Sequence, residues 1–195
     1  QQMAVAVAET LEGESALLAE AGTGVGKSLA YLIPAIRFAL ERGRKAVIST
    51  HTINLQEQLF HKDIPTVAKA LGVEFRSALL KGRANYLCRT RLRRAMEQAD
   101  DLFNQAETRQ LYDLLAWSRD CGEGSLAELP HELSISPKVW AQVCSENHVC
   151  TPRNCGYDCP YQAARRRVQE AQVVVLNHTL FFGLLSLADE MMAVE

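Results

Sequence analysis

A glycine-rich segment near the start of the chain, EAGTGVGKS at residues 20–28, contains the residue types that bind phosphate groups. It ends in Gly-Lys-Ser, as in the pattern G-x-x-x-x-G-K-[ST], with alanine in place of the first glycine. Glycines allow successive backbone N–H groups to wrap around phosphate oxygens, and a helix that follows such a loop presents its positive end to them. We therefore predict that one ATP site is formed by Ala21, Gly22, Thr23, Gly24, Val25, Gly26, Lys27 and Ser28.

Two residues of this segment are the predicted catalytic groups. Lys27 is expected to reach the β- and γ-phosphates, and the hydroxyl of Ser28 is expected to be a ligand of Mg²⁺. The alternative is a glycine turn that only links a strand to a helix. The order of strand, loop, Gly-Lys-Ser and amphipathic helix favours nucleotide binding.

The second group of residues with metal-binding chemistry is a set of thiols. Three cysteines fall within ten residues in CTPRNCGYDCP, and a fourth lies far upstream, so the set is Cys150, Cys155, Cys159 and Cys88. These four thiolates can close around one metal centre, and a proline after the last cysteine is typical of iron–sulfur cluster segments. Zinc also accepts four thiolates, but its usual C-x2-C pairs are missing. Cys121 and Cys144 fit free buried cysteines, and Cys144 remains an alternative ligand to Cys150.

Short apolar runs predict the strands that would position these groups. They lie at 15–21, 45–49, 74–80 and 172–176. The repeat of strand and helix at about thirty residues is typical of a doubly wound parallel sheet in an α/β fold.

Apolar residues at helical spacing predict a helix from Leu29 to Leu40, which stops at Gly43 and is bent by Pro34. Further helices are predicted at 53–71 and 178–188. The alternation breaks after Leu80, where helical patterns, a Gly/Pro loop and the cysteines follow. We therefore predict a motor-type domain in two parts, with an insertion between them: 1–80, 171–195 and, as the insertion, 81–170.

Composition limits the class of protein. The chain has 195 residues, 48% of them hydrophobic, and a formal net charge of −2, so it can form a packed core but has no overall basic character. Its sequence contains no long apolar run and no export pattern, so we expect a soluble, cytoplasmic protein without a membrane partner, associated with the nucleoid if it is bacterial. The first and last residues suggest a piece of a longer protein.

Several segments together resemble one family. AGTGVGKS, STHTINLQEQL at 49–59, KGRANYLC at 81–88, the cysteine segment and VVLNHTLFF at 174–182 are similar to the iron–sulfur DNA helicases of superfamily 2, the XPD and DinG group, with the bacterial DinG-like branch nearest. The resemblance implies a RecA-like P-loop NTPase domain with an inserted, mostly helical iron–sulfur domain. It implies a 4Fe-4S cluster held by Cys88, Cys150, Cys155 and Cys159.

The resemblance also implies the partners and the reaction. Single-stranded DNA and duplex junctions would be bound, ATP would be hydrolysed with Mg²⁺, and movement would run 5′ to 3′. The DNA contacts implied by position are Thr50, Thr52, Asn54 and Gln56, for which helix capping by a threonine is the alternative. Asn177 and His178 are expected to have a DNA-side or loop-stabilising role.

Basic stretches and aromatic residues near the cysteines extend this expectation. If the metal centre brings 89–94 and 165–167 together, their arginines form a positive track for a DNA backbone. Tyr86, Tyr157 and Tyr161 are candidates either for base stacking or for core packing.

Two elements of the family, a DEAH-type box and a second motor domain, are missing from these 195 residues. The chain alone is therefore expected to hydrolyse ATP poorly. Two other functions are possible: a different P-loop NTPase with a zinc-binding insertion, and a DNA-binding module without turnover.

Overall fold

The computed structural model describes residues 1–13, 15–22 and 24–192. Contacts between residues divide the chain into two compact units, 1–80 together with 167–195, and 81–166. The first boundary coincides with the end of the predicted first part, and the second lies a few residues before the predicted one.

The first unit contains a three-stranded parallel sheet. Its strands are β1 (Ala46–Thr50), β2 (Ser77–Leu80) and β3 (Val173–Asn177), in the order β1-β3-β2. Ala46 and Ser77 both lie opposite Val173, so the three strands start level with one another. The predicted parallel sheet is confirmed, with strand ends shifted by at most three residues.

The position of β3 follows from its sequence. Val173, Val174, Val175 and Leu176 are all buried, as expected for a central parallel strand that is covered on both faces. One core of this unit packs the sheet against helices and consists of Leu32, Ile36, Ile48, Leu59, Ile64, Val67, Leu79, Val173 and Val175.

The helices of this unit begin with α1 (Gln2–Glu12) and α2 (Lys27–Arg42). α2 ends at Gly43, whose left-handed backbone (φ 62°) stops the helix. Pro34 lies inside the helix and is buried. The predicted helix and its stop are confirmed. After β3, α11 spans His178–Met192.

The helical path predicted at 53–71 is interrupted by a π-helical turn. It consists of α3 (Ile53–Gln58), the π turn Leu59–Asp63 and α4 (Ile64–Leu71). Pro65 explains the wider turn, because it donates no N–H and its ring crowds the carbonyl four residues earlier.

The strand predicted at Ser15–Ala21 is wrong. Residues 15–22 have no regular secondary structure, residues 15–20 are exposed, and Leu18 is 100% exposed. A strand needs a neighbour that accepts and donates its backbone hydrogen bonds. None of the three described strands pairs with this segment.

The second unit is helical. Its helices are α5 (Arg89–Glu97), α6 (Ala99–Leu102), α7 (Gln105–Asp120), α8 (Pro137–Val143), α9 (Pro152–Cys155) and the start of α10 (Pro160–Glu170). Short 3₁₀ turns occur at Arg83–Asn85 and Leu126–Glu128. Asn104 and Glu107 form a reciprocal capping box at the start of α7.

This unit has its own core. The core joins α5, α7 and α8 through Leu87, Leu92, Ala95, Phe103, Leu111, Leu114, Val139, Trp140, Val143 and Cys144. The indole N–H of Trp140 donates to the carbonyl oxygen of Ala84 at 2.8 Å, so the segment before Cys88 is tied to α8.

Among the described helices, none combines the length and the apolar character that crossing a membrane requires.

Candidate nucleotide-binding loop and thiol cluster

The glycine-rich loop leads directly into α2. Gly24 and Gly26 have φ values of 77° and 80°, a region that side chains disfavour, and Gly26 is the residue before the helix. A methyl group on either glycine would meet no described atom within 4 Å. The loop therefore faces open space at the positive end of a sixteen-residue helix, which is the arrangement that binds anions.

Lys27 lies at the mouth of this loop. Its ammonium group donates a hydrogen bond to the carbonyl oxygen of Ala21 at 2.8 Å, so the side chain bends back over the loop. The structure therefore brings together the two ends of the predicted phosphate site. Thr23, another predicted residue of the site, lies outside the described residues.

Ser28 has a neighbour on the same helix that sequence reasoning missed. Burial raises the pKa of Tyr31, and a side-chain hydrogen bond with Ser28 opposes that rise. The negative charge of Asp63 in the π turn raises the pKa of Tyr31 further. The i, i+3 spacing on one helix was the available signal for the pair of Ser28 and Tyr31. Tyr31 and Ser28 therefore lie close together on one side of α2.

The predicted DNA contacts at the end of β1 and in the segment that follows it differ in how far they are exposed to a ligand. Asn54 is exposed, whereas Thr50 is 9% exposed and donates its hydroxyl to the carbonyl oxygen of Thr52. Thr52 caps α3, because its hydroxyl oxygen accepts from the N–H of Leu55 at 3.2 Å. Thr52 therefore has the role given above as the alternative to DNA contact, which is capping of a helix.

Gln56 is a correction to the predicted DNA contacts. Its side chain is fully buried and its amide nitrogen donates to the carbonyl oxygen of Leu80 at 3.2 Å. It ties α3 to the end of β2. A buried amide with a backbone partner supports the fold and offers no surface to DNA.

Asn177 and His178 stabilise the end of β3. The side-chain oxygen of Asn177 accepts from the N–H of Leu180 at 2.7 Å, which caps α11. The Nδ1 atom of His178 lies 2.6 Å from the hydroxyl oxygen of Ser49 on β1. The contact between His178 and Ser49 joins the start of α11 to the carboxyl end of β1.

Three of the four predicted metal ligands come together in the second unit. The Sγ atoms of Cys88, Cys150 and Cys155 lie within 4.8 Å of one another, and those of Cys88 and Cys155 are 3.6 Å apart. Cys159 is outside this group, but it is 3% exposed and its charge contributes to the raised pKa of Cys155. Cys121 and Cys144 are also free thiols and do not belong to the group.

Burial controls the acidity of these thiols. It raises the pKa of Cys88 to about 12, and it also raises the pKa of Cys155. At Cys150 burial acts in the same direction, but hydrogen bonds to its sulfur, first from the N–H of Glu146, lower the pKa below its ordinary value. That N–H lies 3.2 Å from the sulfur. Buried thiols with raised pKa values become thiolates when a metal replaces the proton.

The thiol group suits a soft metal centre. An N–H donor to sulfur, as at Cys150, is a common feature of cluster sites. The spacing of 3.6 Å between Cys88 and Cys155 is also close to the roughly 3.8 Å that separates two thiolates on one tetrahedral zinc ion. The donor set therefore fits both an iron–sulfur cluster and zinc.

The basic stretches do not form one uninterrupted charged track. Arg91 is mostly buried, donates to the carbonyl oxygens of Cys144 and Ala141, and pairs with Glu146 at 3.0 Å. Its role is structural. Tyr86 is 1% exposed and packs in the interior. Of its two predicted roles, base stacking and core packing, it therefore has the second. Tyr157 is 78% exposed.

Comparison with known proteins decides between the families that contain such loops. The family model described as DEAD/DEAH box helicase matches residues 1–111, more than half of the chain. The chain belongs to the DEAD/DEAH box helicase family. The α/β sheet and the loop before α2 are thus parts of a RecA-like helicase domain.

Curated relatives match almost the whole chain. It is 39% identical over 184 residues to the ATP-dependent DNA helicase YoaA of Haemophilus influenzae, covering 93% of this chain. The identity is 40% over 185 residues to YoaA of Escherichia coli, and 35% over 202 residues to the ATP-dependent DNA helicase DinG of Escherichia coli. The resemblance to the DinG group is confirmed. The chain spans 28% of the length of each of these relatives.

Proposed function

We propose that this chain is the ATP-binding part of a DNA helicase that couples ATP hydrolysis to movement along single-stranded DNA and to the unwinding of duplex junctions. The observation that carries the proposal is the open glycine loop at the start of α2, with Lys27 bent over it, in a DEAD/DEAH box helicase domain. The relatives named above are ATP-dependent DNA helicases, which supports DNA as the partner. Movement from 5′ to 3′ is part of the proposal.

In this proposal residues Ala21 to Ser28, including Thr23, hold the nucleotide. The backbone N–H groups of the glycines bind phosphate oxygens, Lys27 neutralises the β- and γ-phosphates, and the Ser28 hydroxyl is a ligand of Mg²⁺. The hydrogen bond between Lys27 and Ala21 is replaced by contacts to phosphate. Thr50, Thr52 and Asn54 are the proposed contacts to the DNA backbone, and of these Thr52 and Asn54 are exposed whereas Thr50 is buried.

The same proposal assigns the second unit as an inserted iron–sulfur domain. Cys88, Cys150, Cys155 and Cys159 would hold a 4Fe-4S cluster, which would supply a structural cross-link. Cys88 precedes α5 and Cys159 precedes α10, so a metal centre bound by both would fix the starts of two helices. Loss of the metal is therefore expected to loosen this unit while leaving the sheet of the first unit folded.

Lys27→Ala in the full-length protein tests the nucleotide site. The variant is expected to lose ATP-driven unwinding and to keep its affinity for single-stranded DNA, because the loop and the DNA contacts are separate. Arg37→Ala, which removes an exposed ion pair with Glu41 on the same helix, is the control and should unwind DNA normally. Unwinding by Lys27→Ala at the wild-type rate would overturn the assignment of the loop.

Metal analysis after anaerobic purification tests the thiol site. We expect about four irons per chain with matching sulfide, and Cys155→Ser should lose this iron. The matched control is Cys121→Ser, which removes a thiol outside the group and should retain the iron. Iron content unaffected by Cys155→Ser would mean that Cys155 is not a ligand.

Zinc remains the second candidate for this site, on the strength of the short distance between Cys88 and Cys155. It would make the chain a P-loop NTPase with a zinc-binding insertion. A colourless protein with one zinc per chain and no sulfide would establish this second candidate.

A further inference from the structure

Tyr157 is the most exposed of the five tyrosines, at 78%, yet its position is strongly constrained. Gly156 precedes it with φ 70° and ψ −169°, a conformation that glycine adopts far more easily than other residues. The guanidinium carbon of Arg166 lies 4.1 Å from the centre of the Tyr157 ring. The same guanidinium donates to the carbonyl oxygen of Tyr157 at 2.9 Å. The guanidinium of Arg166 thus lies against one face of the Tyr157 ring and fixes the ring in an exposed position.

A cavity of about 200 Å³ opens beside this ring. One wall is the loop that ends at Gly124, where a methyl group would lie only 2.7 Å from Cγ of Pro160. The carboxylate of Glu128 fixes this loop by accepting three backbone N–H groups, at 2.7, 2.9 and 2.8 Å. The cavity is therefore bounded by well-anchored backbone. It is smaller than the roughly 300–1,000 Å³ of sites for drug-sized ligands, which suits a fragment such as a single base.

Charge around the cavity points to the same kind of ligand. Arg89 and Arg166 line it, and neither forms an ion pair with a carboxylate in the part of the chain that the structure describes. Arg89 donates instead to the carbonyl oxygens of Asp158 and Ser118, at 3.2 and 3.0 Å. Glu123 and Asp158 also line the cavity, so the formal charges balance. A balanced cavity rich in donors and acceptors suits a neutral heterocycle better than a free phosphate.

We propose that Tyr157, supported by Arg166, is a stacking platform for one unpaired base of single-stranded DNA, and that the neighbouring cavity receives the edge of that base. The proposal rests on the proposed action on DNA and adds a binding site for the base. One face of the ring is covered by Arg166, and the base stacks on the other. Such stacking accepts every base, because each has a π face.

Binding of a fluorescent oligothymidylate to the full-length protein tests the platform. Tyr157→Ala is expected to weaken binding roughly 5- to 150-fold, the usual effect of losing one base stack, whereas Tyr157→Phe should bind within about twofold of wild type. Tyr112→Ala removes another exposed tyrosine of the same unit, 61% exposed, and should have no effect. Iron content is measured for each variant, and Tyr157→Leu replaces Tyr157→Ala if the alanine variant loses metal.

An abasic oligonucleotide of equal length separates stacking from contact with the backbone. It keeps the phosphates and lacks bases, so Tyr157→Ala should bind it as wild type does. Unchanged affinity of Tyr157→Ala for oligothymidylate, or an equal loss with the abasic strand, would overturn the platform and leave the helicase proposal standing. Wild-type protein that binds neither strand would overturn the proposed action on DNA itself.

Discussion

Gly124 provides a sharp test of how the second unit holds its thiols. Its N–H donates to Glu128 and its carbonyl oxygen accepts from the N–H of Leu87 at 2.8 Å, one residue before Cys88. On the other side it packs against Pro160, one residue after Cys159. Gly124→Ala places a methyl group 2.7 Å from Cγ of Pro160 at a residue with φ 66°. The added methyl group would therefore push the segment that carries Cys88 away from the segment that carries Cys159.

The expected cost has two parts. A side chain in the left-handed region costs about 1–2 kcal/mol, and overpacking against a rigid proline costs about 1–3 kcal/mol. Gly124→Ala should thus lower the free energy of unfolding of this unit by roughly 2–5 kcal/mol, which for a domain of its size lowers the melting temperature by on the order of 10 °C or more. Metal content should fall with it.

Gly72→Ala is the matched control for this prediction. Gly72 lies in the first unit and has φ 65° with no atom within 4 Å of the added methyl group. Gly72→Ala should therefore cost that unit only about 1–2 kcal/mol and leave the tryptophan transition of the second unit at its wild-type position. Urea unfolding is followed by tryptophan emission, and both tryptophans, Trp117 and Trp140, belong to the second unit. A tryptophan transition of Gly124→Ala that matches wild type would refute the proposed packing of Gly124 on Pro160.

Three further predictions concern other parts of the chain. Thr52→Ala should lower the free energy of unfolding by about 0.5–2 kcal/mol through loss of the cap on α3, and Thr52→Ser should restore it; thermal unfolding of the two variants measures this. The pKa of Glu107 is lowered, first by the hydrogen bond from Lys138 and then by the N–H of Asn104, so its stabilisation is present at neutral pH and is lost as the pH falls through that lowered pKa. Urea unfolding of Glu107→Gln should therefore depend less on pH than wild type between about pH 5 and pH 3. The 195-residue chain should bind ATP but hydrolyse it slowly, because the acids of a DEAH-type box are missing from it; calorimetry and phosphate release measure the two properties.

Contrary results for these three are equally specific. Equal stability of Thr52→Ala and wild type would show that the capping bond contributes nothing. A pH dependence unchanged by Glu107→Gln would assign the acid sensitivity to other carboxylates. Rapid phosphate release by the chain alone would show that its own residues complete the catalytic site.

Features encoded by neighbouring residues were predictable from the sequence. The loop before α2 and the stop at Gly43 depend on glycine backbone freedom and on the spacing of apolar residues within one helix. β3 could be predicted because a run of valines is typical of a buried parallel strand. In each case the residues that determine the feature lie close to it in the sequence.

Features that depend on distant partners were not predictable. The segment Ser15–Ala21 has the composition of a strand, but a strand forms only beside a neighbour, and its own residues do not specify that neighbour. The family resemblance implied a DNA contact for Gln56 by its position, whereas its burial depends on the carbonyl oxygen of Leu80, far along the chain. The convergence of Cys88 with Cys150 and Cys155 was proposed from the number and spacing of the cysteines, but spacing left Cys144 open as an alternative to Cys150, and the choice depends on which sulfur atoms the fold brings within 4.8 Å of one another.

The rate of ATP hydrolysis by the full-length protein, measured with and without single-stranded DNA, tests the central claim most directly. The glycine loop in a DEAD/DEAH box helicase domain predicts hydrolysis that increases when DNA is added and that Lys27→Ala abolishes. A rate that is the same with and without DNA, or that survives Lys27→Ala, would contradict the proposal that this chain binds the ATP of a DNA motor.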